Sequence, residues 1–412
     1  MEYLAFAALH RAISLSCVFV CALGAQFADA GVVRIPSTTT SITGHATRMI
    51  SYRDQNHSWQ TSDGAYHLMV NLGAPGLTLY SSFDQGTTWK AMFSLADTDG
   101  DSTDDGVLTN ATGTGATLQL VYATSPTIGA IRFATATYDI ESQSWLLVGT
   151  TTAYQARGFV ATNPAFAPDS EGNIWCSFTL EDKSAKTYQQ SMVYAAAGSQ
   201  QWTNTGLVFG VIDTTTQHSA RPVAYPNGVG VIYQDADTLY WAYRQNGSPV
   251  TGTWETSTLY VGLPDEAADP YGTHYSVVAD AQDNLYLAFI ADPAVLMYVK
   301  YTCDAATWGS FQVMESATTA AAYPEMSLAD GNVVLMANDL SSVNVLQSTD
   351  GGESFTWTQK LTHPPATSGS GLSYANPRVE TPRYSTSPMP VWQQFVDGTT
   401  DGLMFFLVPV IN

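Results

Sequence analysis

Short apolar runs separated by turn-forming residues recur along this chain on one template. TNPAFAPDSEGNIWCSF (from Thr162), ARPVAYPNGVGVIYQ (from Arg221, with Ala220 before it), HYSVVADAQDNLYLAF (from His274) and AYPEMSLADGNVVLM (from Ala322) each place an extended run, a turn of Asp, Asn or Gly, and a second apolar run. HSWQTSDGAYHLMV, from His57, fits the same pattern. This composition predicts β-hairpins, because β-branched and aromatic residues favour strands and Asp, Asn and Gly favour tight turns. A third run such as LTLYSSF follows, then a turn closing on an aromatic residue, then a fourth run such as KAMFSL. No stretch has a convincing amphipathic helical period.

The closing aromatics set a repeat. Trp89, Trp145, Trp202, Trp254, Trp308 and Phe355 follow one another at intervals of 56, 57, 52, 54 and 47 residues, a period that predicts an array or a propeller. Units begin near His57, Gly106, Asn163, Arg221, His274, Tyr323 and Asn376. Four strands per unit predict an all-β, seven-bladed β-propeller of four-stranded antiparallel blades, with six blades as the alternative count. The seventh unit has room for only three strands. GVVRIPS, residues 31–37, is expected to supply the fourth by pairing with the last blade, which removes the open sheet edges.

The first thirty residues stand apart from the repeat. Arg11, an apolar run from Ala12 to Gly24 and the small-x-small sequence Ala28-Asp29-Ala30 predict a cleaved signal peptide over 1–30 and a single propeller domain over 31–412. The product is expected to be secreted or periplasmic, monomeric and free of membrane once cleaved. Cys17 and Cys21 leave with that segment, and Cys176 and Cys303 remain in apolar strand-like runs as free thiols rather than a disulfide framework. Losing Glu2, Asp29 and Arg11 takes the 36 acidic and 15 basic residues to 34 and 14. So acidic a surface makes nucleic acid an improbable partner, and an acidic glycan would need a local concentration of Arg and His.

SSFDQGTTWK, residues 81–90, and STDGGESF, residues 348–355, are close copies. They resemble the Asp box of the BNR-repeat family, found in sialidases and other secreted propellers, at Ser82, Asp84, Gly86, Thr88 and Trp89 and at Ser348, Asp350, Gly352, Ser354 and Phe355. The resemblance implies a propeller scaffold in which the box joins the third and fourth strands on the outer rim. Asp84 and Asp350 are then structural.

Candidate chemistry gathers where each unit begins, because the first strand of a blade faces the central channel. Asn163, Arg221, Tyr323 and Asn376 each precede proline, which should hold them extended and aim their side chains. His57 and His274 occupy the matching place in two other units, with His218, Tyr275, Glu325 and Arg378 close by. Carboxylates are scarce there, although Glu325 and the Asp265, Glu266, Asp269 group could serve a glycosidase. VRIP, residues 33–36, is similar to the motif that carries the first sialidase arginine.

The set of His, Tyr, Arg and Asn suits β-elimination at a uronate, and the architecture resembles seven-bladed polysaccharide lyases of the ulvan lyase type. On this reading Arg221, Arg378 and Asn163 neutralise the sugar carboxylate, His274 or Tyr323 takes the proton, and Tyr323 or His57 returns one; Asn376, His218 and Tyr275 contact substrate. A sialidase-like hydrolase and a glycan-binding propeller without chemistry are the alternatives. Finally, DTDGDSTDDG, residues 97–106, spaces Asp97, Asp99, Asp101 and Asp105 as calcium loops do. It predicts either a structural Ca2+ or a solvated acidic loop. No organic cofactor is expected.

Overall fold

The computed structural model describes residues 33–411 other than 37, 45–48, 51–54, 73–75, 96–103, 113–114, 125–127, 214–219, 226–227, 264–274, 294, 316–321, 339–341, 363–371, 374–378 and 398–399. The leader expected over 1–30 lies outside these residues. Seven antiparallel sheets follow one another along the chain and form a seven-bladed β-propeller. The first four blades run Ser58–Gln60 to Lys90–Leu95, Asp104–Thr112 to Ser144–Tyr154, Phe159–Pro168 to Trp202–Asp213, and Ala220–Tyr225 to Glu255–Val261. The fifth runs from Tyr275–Ala279 to Thr307–Trp308 and Gln312–Glu315, and the sixth from Ala322–Ala329 to Thr356–Thr362. All seven inner strands lie where the repeat places them. Among the described residues no helix is long and apolar enough to cross a membrane.

The second strand of most blades is buried on both faces, as in Ile174–Asp182 and Leu285–Ala291. Continuous apolar runs, rather than alternation, are the expected signature of such strands. The core is accordingly divided: seven hydrophobic clusters each fill the space between one pair of neighbouring blades.

Closure uses the N-terminal segment, but with a different strand from the one expected. Val33–Pro36 pairs in parallel with the outermost strand of the sixth blade, Val33 opposite Gln359. It is Thr38–Gly44 that completes the seventh blade, antiparallel to Thr400–Val408, with Thr38 opposite Phe405. An outermost strand leaves one face in water, and the Thr-rich sequence buries only Ile42 and Gly44. β-branched polar residues suit that place better than an apolar run.

The two turns with matching sequences have matching structures. Asp84 accepts from Ser82 Oγ, Thr88 N and Thr88 Oγ1 at 2.9, 2.8 and 2.7 Å, and Asp350 accepts from Ser348 Oγ, Ser354 N and Ser354 Oγ at 2.7, 3.0 and 2.6 Å. These bonds, the Thr88 and Ser354 hydroxyls first, hold both carboxyls below the usual range. Trp89 packs on Trp392 and Phe405 of the seventh blade, and Phe355 on Tyr298 of the fifth. Both carboxylates are spent within their own turns, which join third and fourth strands.

Candidate functional site

Inner strands pack side by side around the axis, linked by bonds such as Met326 N to Ser276 Oγ at 3.0 Å. Several of them line a cavity of about 310 Å3. Phe166–Pro168, Arg221–Ala224 and Val277–Ala279 form one wall, and Asn56, Ser58–Gln60 and Pro382–Tyr384 the other.

The last of these comes from an unusually long connection. Between the inner strand of the seventh blade, Val379–Glu380, and its second strand, Met389–Asp397, the chain spends residues 381–388, whereas the sixth blade turns in residues 330–331. The long connection spreads over neighbouring inner-strand ends. Arg383 O accepts from Leu328 N at 2.8 Å and Ser385 O from Asp330 N at 3.0 Å. Thr386 N donates to Gln60 Oε1 at 2.7 Å, and Tyr384 OH to Ala279 O at 2.9 Å. Three other blades therefore hold it in place.

Arg221, Arg383 and Tyr384 are the titratable residues of the described lining. Tyr384 leaves 57% of its surface accessible because it faces the open cavity, yet protein surrounds it, and that desolvation pushes its phenol up to about 12. The Asp280 charge adds to this, and the Arg221 charge opposes it. The phenol is therefore a neutral hydrogen-bond donor at neutral pH. Arg221 is 1% exposed, in register opposite Ile232. Asp280 sits in the turn after Ala279 and is occupied internally, accepting from Gln282 N, Asn284 N, Asn284 Nδ2 and Tyr286 OH at 2.7–2.9 Å. Burial pushes its carboxyl up, but these bonds outweigh it and hold the group below the usual range.

Of the residues singled out from sequence, Arg221 lines this cavity and several others are placed elsewhere. His57 is buried in the seam between the first and last blades, with Nδ1 3.0 Å from Glu380 Oε2. Glu380 Oε1 also accepts from His57 N and Ser58 Oγ at 2.9 and 3.0 Å, so His57 is part of a closing clamp. Tyr275 packs between the fourth and fifth blades and its hydroxyl donates to Ile232 O at 3.0 Å.

Asn163 and Tyr323 are not extended, contrary to the rule for residues before proline. Their φ values are +50° and +54°, and the strand register breaks between Thr162 and Ala165 and between Ala322 and Glu325. Both are β-bulges whose extra residue takes the left-handed region, tolerable for Asn and strained for Tyr. Asn163 is buried, while Tyr323 and Glu325 are half-buried.

His218, His274, Asn376, Arg378, Asp265, Glu266 and Asp269 lie outside the described residues. So do Asp97, Asp99 and Asp101. Asp105 falls within the strand Asp104–Thr112, so the acidic segment ends in a strand rather than running on as a loop. Among the described residues no group of three or more His, Cys, Asp or Glu is placed to hold a metal.

The sequence pointed to one residue at the start of each inner strand; this cavity is lined along the strands, Ser58–Gln60 and Arg221–Ala224 among them, and by the 381–388 connection. Asn56, Gln60, Arg383 and Tyr384 were therefore missed. The available signal was the eight-residue spacing with Pro382 and Pro388, too long for a hairpin turn.

No protein-family model matches the chain, and no curated protein matches it. Among solved structures, an ulvan lyase of a polysaccharide lyase family is similar at 12% identity over 89% of this chain and 96% of its own, with TM-score 0.49. A mutant Aleuria aurantia lectin in complex with α-methyl-L-fucoside is similar at 11% identity over 77% and 99%, with TM-score 0.47. Penicillium chrysogenum α-L-arabinanase complexed with arabinobiose is similar at 11% identity over 90% and 98%, with TM-score 0.40. At these identities the likeness is one of scaffold.

Proposed function

We propose that this chain is an exported, carbohydrate-acting propeller whose ligand is an acidic, uronate-containing glycan, with the sugar carboxylate taken at Arg221. The observation that carries the reading is a buried arginine, Arg221, among the residues lining an axial cavity of about 310 Å3, in a chain of net charge −21. A planar guanidinium presents paired donors that match a carboxylate. The remaining wall, with Pro168, Pro222, Val277 and Ala279, suits the C–H face of a pyranose, and Asn56, Gln60 and the Tyr384 hydroxyl suit its oxygens.

The reaction we assign is β-elimination. A base removes the proton α to the carboxylate, that electron pair forms the C4=C5 double bond, the C4–O bond breaks, and the leaving oxygen takes a proton. Neutralising the carboxylate stabilises the carbanion-like state. His274 or the strained Tyr323 is the base, Arg378 and Asn163 assist Arg221, and Tyr323 returns a proton to the leaving oxygen when His274 is the base. Glycan binding without turnover is the second reading. It is favoured by the described lining itself, whose titratable side chains, Arg221, Arg383 and Tyr384, are of types that stay protonated at neutral pH.

The test is to incubate the protein with ulvan and other uronate polymers and follow ultraviolet absorbance of the unsaturated product. Arg221→Lys should lower kcat/KM at least about tenfold, since it keeps the charge and loses the fork, and Arg221→Gln should abolish turnover with the melting transition retained. Full activity in a folded Arg221→Gln protein would remove Arg221 from the site. Tight binding with no unsaturated product selects the second reading.

A further inference from the structure

The interface between the fourth and fifth blades holds an opening where the two well-formed turns have none. At Gly86 and Gly352 the missing side chain leaves room for a neighbour: a Cβ there would lie 2.1 Å from Phe405 Cε1 and 2.3 Å from the Tyr298 hydroxyl. The corresponding turn of the fifth blade, Thr302 to Trp308, is one residue shorter and has Ala305 and Ala306 but no glycine. Beside it lies a cleft of about 410 Å3.

The rings of Tyr225, Tyr243, Trp308 and Phe311 line this cleft and are half-buried, with Trp241 and Tyr301 buried behind them. Trp308 stands edge-to-face to Tyr301 and Trp241, at centroid separations of 5.3 and 5.7 Å. Polar groups are interleaved with the rings. The Tyr225 and Tyr301 hydroxyls are 2.8 Å apart, Tyr243 donates to Glu255, and the Ser257 and Thr258 hydroxyls are exposed along the outer strand.

We infer that this cleft binds a neutral pyranose, as a second saccharide site separate from the axial cavity. Aromatic faces beside hydroxyl groups fit a ligand with one apolar C–H face and a hydroxylated edge. A purely apolar ligand would strip water from the tyrosine hydroxyls without replacing it. An anion would meet no cation, since no charged side chain lines the cleft, and would face the exposed Glu255 carboxylate. The inference rests on the carbohydrate reading for its class of ligand; the two sites divide that class by charge, acidic at Arg221 and neutral at Trp308.

Calorimetric titration of the full chain with neutral xylo-, manno- and gluco-oligosaccharides, and separately with a uronate oligomer, tests both sites. At least one neutral oligosaccharide should bind. Trp308→Ala should weaken it about tenfold or more, Trp308→Phe should keep part of the affinity, and Arg221→Gln should leave it unchanged while removing uronate binding. If Trp308→Ala fails to fold, Tyr243→Ala, at a half-exposed ring, should show the same loss. Absence of neutral binding, or binding indifferent to these variants, overturns the inference. Uronate binding that persists in that case leaves the axial proposal standing, and neutral binding without uronate binding overturns the axial proposal alone.

Discussion

His67 shows how one residue can carry pH dependence without belonging to a site. It is fully buried between the first two blades; Trp145 Nε1 and Ser81 Oγ lie 3.2 and 2.7 Å from its Nδ1, and Thr61 Oγ1 lies 2.8 Å from its Nε2. An indole N–H can only donate, so Nδ1 accepts and the ring proton sits on Nε2. Thr61 in turn donates to Asp63, which also accepts from Tyr138 OH at 2.7 Å. Burial lowers the His67 pKa to about 3, with the Asp63 charge opposing it. Above pH 6.5 neither the folded nor the unfolded chain protonates this ring, and nothing is lost. Below it the unfolded chain binds a proton that the folded chain refuses, so stability should fall by about 1.4 kcal/mol per pH unit down to about pH 3. Denaturant unfolding at pH 7 and pH 5.5 measures that slope, and His67→Gln should flatten it. The sequence marks His67 only as a polar residue in a strand; its neutrality follows from burial between two blades, and its tautomer from Trp145, 78 positions away.

At the level of elements, the strands and turns were legible because their causes are local. The alternation of short apolar runs with Asp, Asn and Gly located all seven inner strands, and the matched residues of the 82–89 and 348–355 turns make matched bonds. Their glycines illustrate two costs that can be separated. Gly64, Gly86 and Gly352 have φ values of +81°, +85° and +85°, but a Cβ at Gly64 meets nothing within 4 Å. Gly64→Ala should cost only the left-handed conformation, about 1–2 kcal/mol. Gly86→Ala and Gly352→Ala should cost about 1–3 kcal/mol more, because a neighbouring blade's ring must also move. Thermal or denaturant unfolding of the three variants separates the contributions, and equal losses would contradict the packing argument. The bulges at Asn163 and Tyr323 were not legible, since the local preference before proline points to extended backbone and the way each inner strand meets its partner overrides it.

The whole molecule is a ring, and its stability depends on how the ring shuts. Thr38–Gly44 completes the last blade, Val33–Pro36 fastens to the sixth, and Glu380 receives His57 N, His57 Nδ1 and Ser58 Oγ across the seam. Glu380→Ala leaves three buried groups without their acceptor and should destabilise by about 3–5 kcal/mol. The same substitution in a His57→Ala background should cost less, and this double-mutant cycle, read by unfolding, measures the clamp. Purely additive losses would show that the two residues do not act together.

The sequence by itself determined the repeat: seven units, about four strands in each, and the chemistry of the turns. These depend on residues within a few positions of one another, repeated often enough for the period to emerge. Only the tertiary structure decided which N-terminal strand closes the ring, that His57 meets Glu380, and that residues 381–388 bring Arg383 and Tyr384 to the same cavity as Arg221. Those outcomes depend on which strand ends and edges meet around the axis, 326 positions apart in the Gln60–Thr386 bond and 367 where Thr38 lies opposite Phe405, and no local pattern encodes that meeting.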